Sequence, residues 1–255
     1  SAVVMKVKTG EVLAMASYPD FNPSDFVNGI SNEKWTYYTN ESQSEYARNH
    51  PFVNRAISSP SSPGSTYKMV TAIAGLESGV INTETKINDT GVYPHAHKPV
   101  CWYYTEYGGG HGYLNVSDAI KHSCNYFFYE VGNRIGIDAL EKYAKYFGLG
   151  KKTKVELPSE ASGVVASQSR AEQEKRTWYL GETLSASIGQ SYNNFTPIQM
   201  AKYISMLANG GNKIDVTLVK TIIDSDGNQM SKEEIDNYVN EKLNFNTNED
   251  TEDLN

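Results

Sequence analysis

Ser65 and Lys68 are the pair whose spacing most directly carries chemistry. In Pro63-Gly64-Ser65-Thr66-Tyr67-Lys68, Pro-Gly makes a sharp entry into a helix that Ser65 opens. Three residues on, the Lys68 amine shares a helix face with the Ser65 hydroxyl. A lysine in a partly desolvated cleft can lose its proton and act as general base on a serine. Backbone N–H groups at a helix start point outward and would stabilise an oxyanion formed at Ser65. Alone the pair is a weak signal, because a capping serine followed by a solvated lysine is common. A second piece strengthens it. Ser123-Cys124-Asn125 follows in a later helical block. It would place a hydroxyl and an amide on the facing wall of a cleft, one to relay a proton, one to hold a substrate carbonyl.

Cys101, His111 and Cys124 fall in a loop and in that second motif, and Asp89 precedes them. Two thiols, an imidazole and a carboxylate are suitable zinc ligands, although the spacing lacks the tight Cys-x-x-Cys of a zinc finger. Three plainer readings stand beside this one. The cysteines could form one disulfide, Cys124 could be a small packed residue, and His111 a loop residue bonded to backbone. His95, His97 and Asp118 are alternative ligands.

The elements that must position these residues follow from pattern. Residues 2–7 and 11–17 flank Lys8-Thr9-Gly10 as a hairpin. Residues 18–63 are rich in Ser, Asn, Pro and Tyr and read as an irregular crossing. Apolar Met69, Ala72, Ile73 and Leu76 make 65–78 a helix with a buried face, stopped by Gly79. Residues 80–113 lack a period and read as a long loop. Helices are expected over 115–131, 137–147 and 196–208, the last opened by Thr-Pro and closed by Gly210-Gly211. Residues 151–181 read as loop, and 216–223 as a strand turned by Asp226-Gly227. A hairpin, a helical block and a returning strand make an α+β class. The tail from 231 is acidic and Asn-rich, a weak helix over 233–243 or disordered.

Composition narrows the function. The 255 residues carry a net charge of −7, with −6 in 231–255 and −1 in 1–230. A balanced body without a basic stripe excludes a nucleic-acid surface. No run approaches the ~20 apolar residues of a membrane span. No leader opens the sequence, and a start at Ser1-Ala2-Val3-Val4 reads as a fragment.

Six segments together carry a resemblance. They are TGEVLAMASYPDFNPSDF (9–26), NRAIS (54–58), PGSTYK (63–68), GHGYLNVSDAIKHSCNYFFYEVG (110–132), LPSEASG (157–163) and SIGQSYNNFTPIQMAKYISMLANGG (187–211). The chain resembles the transpeptidase domain of class B penicillin-binding proteins, most of all the elongation type, over nearly all of residues 1–230. That resemblance implies the penicillin-binding-protein/serine β-lactamase-like fold, an antiparallel sheet with a helical subdomain. Residues 1–230 would form the transpeptidase domain, incomplete on its C-terminal side, with 231–255 as a separate acidic segment.

The function implied is a D,D-transpeptidase on the outer face of the bacterial cytoplasmic membrane, held by an N-terminal anchor outside this sequence. Ser65 would be acylated by stem peptides ending in D-Ala-D-Ala, or by β-lactams, with Lys68, Ser123 and Asn125 serving it. A glycosyltransferase would be among its cell-wall partners. Zinc-carrying relatives imply Asp89, Cys101, His111 and Cys124 as ligands. One departure matters: the family's Lys-Thr-Gly lies well after the Gly210-Gly211 segment. Lys8-Thr9-Gly10 precedes the nucleophile and reads as a plain turn, so that third motif is missing.

Two hydrolytic alternatives use the same chemistry, a D,D-carboxypeptidase and a serine β-lactamase. The second needs a Glu-x-x-x-Asn that 151–185 does not contain. A non-catalytic β-lactam sensor or wall-binding scaffold is the alternative from another class.

Overall fold

The computed structural model describes residues 1–242. Its strands are β1 (Ala2–Met5), β2 (Val12–Ala16), β3 (Ile87–Asp89) and β4 (Gly112–Leu114). Its helices are α1 (Asn32–Thr39), α2 (Glu45–Arg48), α3 (Arg55–Ser58), α4 (Lys68–Glu77), α5 (Trp102–Tyr107), α6 (Val116–Lys121), α7 (Asn125–Tyr146), α8 (Gln168–Gln173), α9 (Leu180–Ser187), α10 (Pro197–Ala208) and α11 (Lys232–Lys242). These form two compact units, interleaved in sequence. One takes residues 1–60, 152–161 and the chain from 196; the other takes 61–151 and 162–195.

In the first unit β1 and β2 pair antiparallel, with Ala2 opposite Ala16 and Met5 opposite Val12. Alternation in β1, with a register shift between Val4 and Met5, turns Val3 and Met5 and their partners Met15 and Val12 onto a core of Ala56, Ile57, Val155, Ile198 and Val216. Helix α10 lies against β1. Its start is a capping box, Thr196 accepting from Gln199 N while the Gln199 amide reaches back to Thr196 N. Lys8-Thr9-Gly10 closes the hairpin, Gly10 N donating to Lys6 O at 2.9 Å.

In the second unit α7 packs against both α4 and α9. Phe127, Phe128 and Val131 of α7 are fully buried and meet Ala72 and Leu184. Truncating either phenylalanine to alanine should cost about 3–5 kcal/mol. The strands β3 and β4 form a short antiparallel pair, Asp89 opposite Gly112.

Several expectations are corrected. Residues 18–63 contain α1, α2 and α3 rather than only irregular chain. Residues 80–113 hold β3 and α5 and lead into β4; strands of three residues are too short to show a period. The helix expected over 115–131 is broken at 122–124, where Ser123 adopts φ +50°. Conversely α7 runs on through the expected 137–147 helix, interrupted only at Gly136, φ +76°. Residues 151–181 contain α8, and α9 begins at their end. The strand expected at 216–223 does not form. Thr217 and Ile223 make only isolated bridges, with Glu11 and Gln229; Leu218 N goes to the Glu156 carboxylate at 2.9 Å instead of to a ladder. The tail helix is α11, and residues 243–255 lie outside the described residues.

Candidate active site

Ser65 sits in a 3-10 turn, Gly64–Tyr67, that runs directly into α4, whose first residue is Lys68. The Lys68 side chain is drawn inward, leaving the residue 2% exposed. Its Nζ lies 2.7 Å from Ser123 O, 2.6 Å from Asn125 Oδ1 and 3.0 Å from Ser123 Oγ. Ser123 Oγ is in turn 2.9 Å from Ser65 Oγ. The four residues therefore form one continuous chain of hydrogen bonds from the Ser65 hydroxyl to the Lys68 amine and on to Asn125.

A neutral amine has two N–H groups and one lone pair. The two carbonyl oxygens take the two N–H groups, which leaves the lone pair for the Ser123 hydroxyl. Burial favours that neutral form. It lowers the Lys68 pKa from 10.5 to about 8, against the opposing pull of Cys124 and Cys101. At pH 7 about a tenth of the amine is then neutral, roughly 300 times the share of an ordinary lysine.

The entry to Ser65 is shaped by the segment 187–190. Gly64 N donates to Gly189 O at 2.9 Å, and Thr71 Oγ1 to Ser187 O at 2.7 Å. Gly189 has φ +74°, and a Cβ there would stand 2.2 Å from Gly64 O. Neither that backbone conformation nor that contact accepts a side chain. Gly189→Ala should therefore displace the Ser65 turn, costing about 1–3 kcal/mol and slowing acylation with it. Thermal unfolding and β-lactam labelling rate check this, and full wild-type values in both would contradict it.

On the other side of Ser123, the Trp102 indole N–H donates to Ser123 O at 3.1 Å and to His122 O at 3.2 Å. Trp102 is the residue after Cys101, which caps α5.

Four elements deliver four donor groups to one buried spot. Asp89 ends β3, Cys101 caps α5, His111 precedes β4 and Cys124 caps α7. One ligand atom from each lies within 4.8 Å of all the others. The Asp89 Oδ2–His111 Nδ1 distance is 2.7 Å, Asp89 Oδ2–Cys124 Sγ 3.2 Å, Cys101 Sγ–His111 Nδ1 3.6 Å and Cys101 Sγ–Cys124 Sγ 4.0 Å. Donors around a tetrahedral zinc stand about 3.3–3.8 Å apart, so the set fits such an ion with small adjustments. The two sulfurs are unbonded, at about twice the length of a disulfide.

The charge state suits a cation. Burial alone would raise the Asp89 pKa, but hydrogen bonds from His111, Gly91 and Cys124 outweigh it and hold the carboxylate below its usual range. The hydrogen bond with Cys124 draws the Cys101 thiol down to about 6; the same bond and burial push Cys124 up. His111 Nε2 is buried without a hydrogen-bond partner, and the ring is held by Tyr103 and Trp102 at 4.4 and 5.6 Å between centroids.

Every residue picked out from the sequence thus lies in the second unit, in two groups joined through Cys124 between Ser123 and Asn125. His95, His97 and Asp118 stand outside the donor cluster. His95 packs on Tyr93, His97 on Gly181, and Asp118 lies in the first turn of α6. Sequence reading passed over Trp102 and Gly189. An indole is an unspecific residue in an aromatic-rich loop, and a glycine in Ser-Ile-Gly-Gln carries no chemistry of its own.

Comparison with known proteins agrees in direction. The description "Penicillin binding protein transpeptidase domain" matches residues 1–250. Peptidoglycan D,D-transpeptidase MrdA of Acinetobacter baumannii is 36% identical over 216 residues, covering 83% of this chain and 31% of that protein. The Pseudomonas aeruginosa PBP2 solved in complex with WCK 5153 superposes with TM-score 0.77 at 33% identity, covering 90% of this chain and 52% of that one. PBP2 of Helicobacter pylori, solved in complex with MreC, gives TM-score 0.77 at 30% identity, covering 95% and 43%. The chain spans about a third of the length of the curated relatives it matches.

Proposed function

Because the chain belongs to the penicillin-binding-protein transpeptidase family, we propose that Ser65 is the acylated nucleophile of a peptidoglycan D,D-transpeptidase. The single observation that carries this is the unbroken chain Ser65–Ser123–Lys68, at 2.9 and 3.0 Å. Ser65 Oγ attacks the carbonyl carbon of the penultimate D-Ala. Its proton passes to Ser123 Oγ, and the Ser123 proton passes to the Lys68 amine. The amide C–N bond breaks, and terminal D-Ala leaves with a proton returned along the same chain. An amine of a second strand then attacks the ester, forms the cross-link and frees Ser65. A β-lactam ring opens on the same oxygen. Asn125, its Oδ1 on Lys68, serves both to orient the amine and to hold a substrate carbonyl.

Asp89, Cys101, His111 and Cys124 would hold one zinc ion. Bound there, zinc supplies a structural cross-link between the β3–β4 segment and the start of α7, and takes no part in the acyl transfer. Residues 1–230 would be the transpeptidase portion and 231–255 an acidic extension. The proposed setting is the outer face of the cytoplasmic membrane, the anchor lying in the full-length protein. Among the described residues no helix is long and apolar enough to cross a membrane. The Helicobacter pylori complex with MreC and a solved peptidoglycan synthase complex, 32% identical, support cell-wall synthesis partners; a glycosyltransferase would be one of them.

The test is to incubate the full-length protein with a fluorescent penicillin, digest it and map the adduct. The label should sit on the peptide carrying Ser65 and vanish in Ser65→Ala. An adduct elsewhere, or undiminished labelling of the variant, would sink the assignment.

A further inference from the structure

We propose that Trp102 is a positioning residue for the acylation step, its indole N–H fixing the Ser123 carbonyl against which Lys68 is aimed. This rests on the function proposed above.

Ser123 O is the meeting point of two donors, Lys68 Nζ at 2.7 Å and Trp102 Nε1 at 3.1 Å. It belongs to a residue with φ +50°, a backbone conformation that an L-residue occupies only when its surroundings hold it. On its N–H side the break is closed as a Schellman turn at the end of α6, with Cys124 N donating to Ala119 O at 2.9 Å beside the Ser123 N–H bond; the Ser123 carbonyl is held separately. Ser123 lies in the gap between the end of α6 at Lys121 and the start of α7 at Asn125. Its own N–H goes to Ile120 O, and the carbonyls of residues 122 and 123 both converge on the one indole N–H. Trp102 is thus the group that ties this break to the α5 segment.

The consequence for Lys68 is geometric. The amine has three neighbours, and the Ser123 peptide supplies one of its two carbonyl acceptors while the Ser123 side chain supplies the hydroxyl. A shift of the backbone at Ser123 displaces both. The lone pair then no longer points at the hydroxyl that must hand over its proton. A second donor on the same carbonyl opposes that shift. The effect belongs to proton transfer and not to substrate capture, because the indole N–H bonds the carbonyls of residues 122 and 123, and Ser123 O is also the Lys68 acceptor. The residue is 38% exposed with its ring against Tyr103, Tyr107 and His111, so the test must separate the N–H from that packing.

Two replacements separate the N–H from the ring. Trp102→Phe removes both the bicycle and the donor. Replacing the indole by benzothiophene keeps the bicycle and removes only the N–H. In the full-length protein, both should lower the acylation rate constant for a fluorescent penicillin about 10–30-fold. The dissociation constant of the non-covalent complex should stay within twofold. A purely structural tryptophan would instead spare the benzothiophene protein. A second arm does not depend on acylation. Because the indole and the lysine share one carbonyl, Lys68→Ala should shift the Trp102 indole N–H resonance in the protein NMR spectrum. Benzothiophene protein acylated within twofold of the wild-type rate overturns the proposal. So does an indole resonance indifferent to Lys68→Ala. Wild-type protein that takes no label while its indole still responds to Lys68→Ala would refute the transpeptidase reading and, with it, the acylation role of Trp102, leaving only the contact.

Discussion

Lys68→Ala should slow acylation by a β-lactam about 10²–10⁴-fold, the usual contribution of a positioned general base. The side chain is buried, and its amine is the group hydrogen-bonded to the Ser123 hydroxyl, so truncation removes the proton acceptor itself. The pH dependence follows from the same burial. Lys68 must be neutral to accept a proton, and its pKa is lowered to about 8. The rate should therefore climb as pH rises through about 8 and level off above it. Below that point the ammonium form predominates and the rate should fall about tenfold per pH unit. Stopped-flow acylation between pH 6 and 9.5 measures both effects. A flat profile, or an alanine variant within threefold of wild type, would leave Lys68 as a structural residue.

Metal removal is expected to have the second-largest effect. Purified, chelator-washed protein should contain one zinc per chain and two titratable thiols under denaturing, non-reducing conditions. A protein holding zinc at about a thousand times its dissociation constant gains roughly 4 kcal/mol from that binding. For a chain of this size, stripping the ion should lower the melting temperature by about 10 °C. The acylation profile should move as well. The charges on Cys101 and Cys124 both raise the Lys68 pKa, and without the cation they are uncompensated. The value of about 8 already includes both of those pulls, so zinc should draw the midpoint below 8 and stripping the ion should raise it back toward 8. Cys124→Ser should reproduce both changes without touching Ser65. Protein with neither metal nor free thiols would mean a disulfide. Protein with two free thiols, no metal and unchanged melting on chelation would mean merely packed cysteines.

The elements visible in the sequence were those whose side chains declare their neighbours. The β1–β2 hairpin alternates, α4 has an apolar stripe, and α10 has Thr-Pro before it and paired glycines after it. What stayed hidden depends on partners distant in sequence. The break at Ser123 lies in a stretch that is good helix-forming sequence on both sides, and α6 closes there in a left-handed Schellman turn at a serine, where a glycine would have signalled the stop. Residues 216–223 are apolar and β-branched, yet Glu156 captures the amide that a ladder would need. The pairing of Asp89 with Gly112, which brings His111 beside the carboxylate, rests on six residues and leaves no pattern to read. That Ser65, Lys68 and the Ser-x-Asn pair come together was legible because their types and spacing are themselves the proposed chemistry. Trp102 was not, because a donor to a backbone carbonyl leaves no signature in sequence.

The placement of Lys68 as the first residue of α4 and of Asn125 as the first of α7 bears on how long the site stays assembled. Helix ends open far more often than helix middles, without the molecule unfolding. A site hung from two such ends is disassembled whenever either first turn frays, so its lifetime is set by local opening and not by global stability. The turn at α7 is pinned by Cys124, whose sulfur accepts from Phe127 N at 3.4 Å, and by the full burial of Phe127 itself. Hydrogen exchange at the Phe127 amide therefore reports directly on the fraction of time the site is intact. A substitution that speeds that exchange a hundredfold can still leave the melting curve unchanged. Variants of this protein that melt normally yet resist acylation are to be sought among residues that clamp these two first turns, rather than in the core.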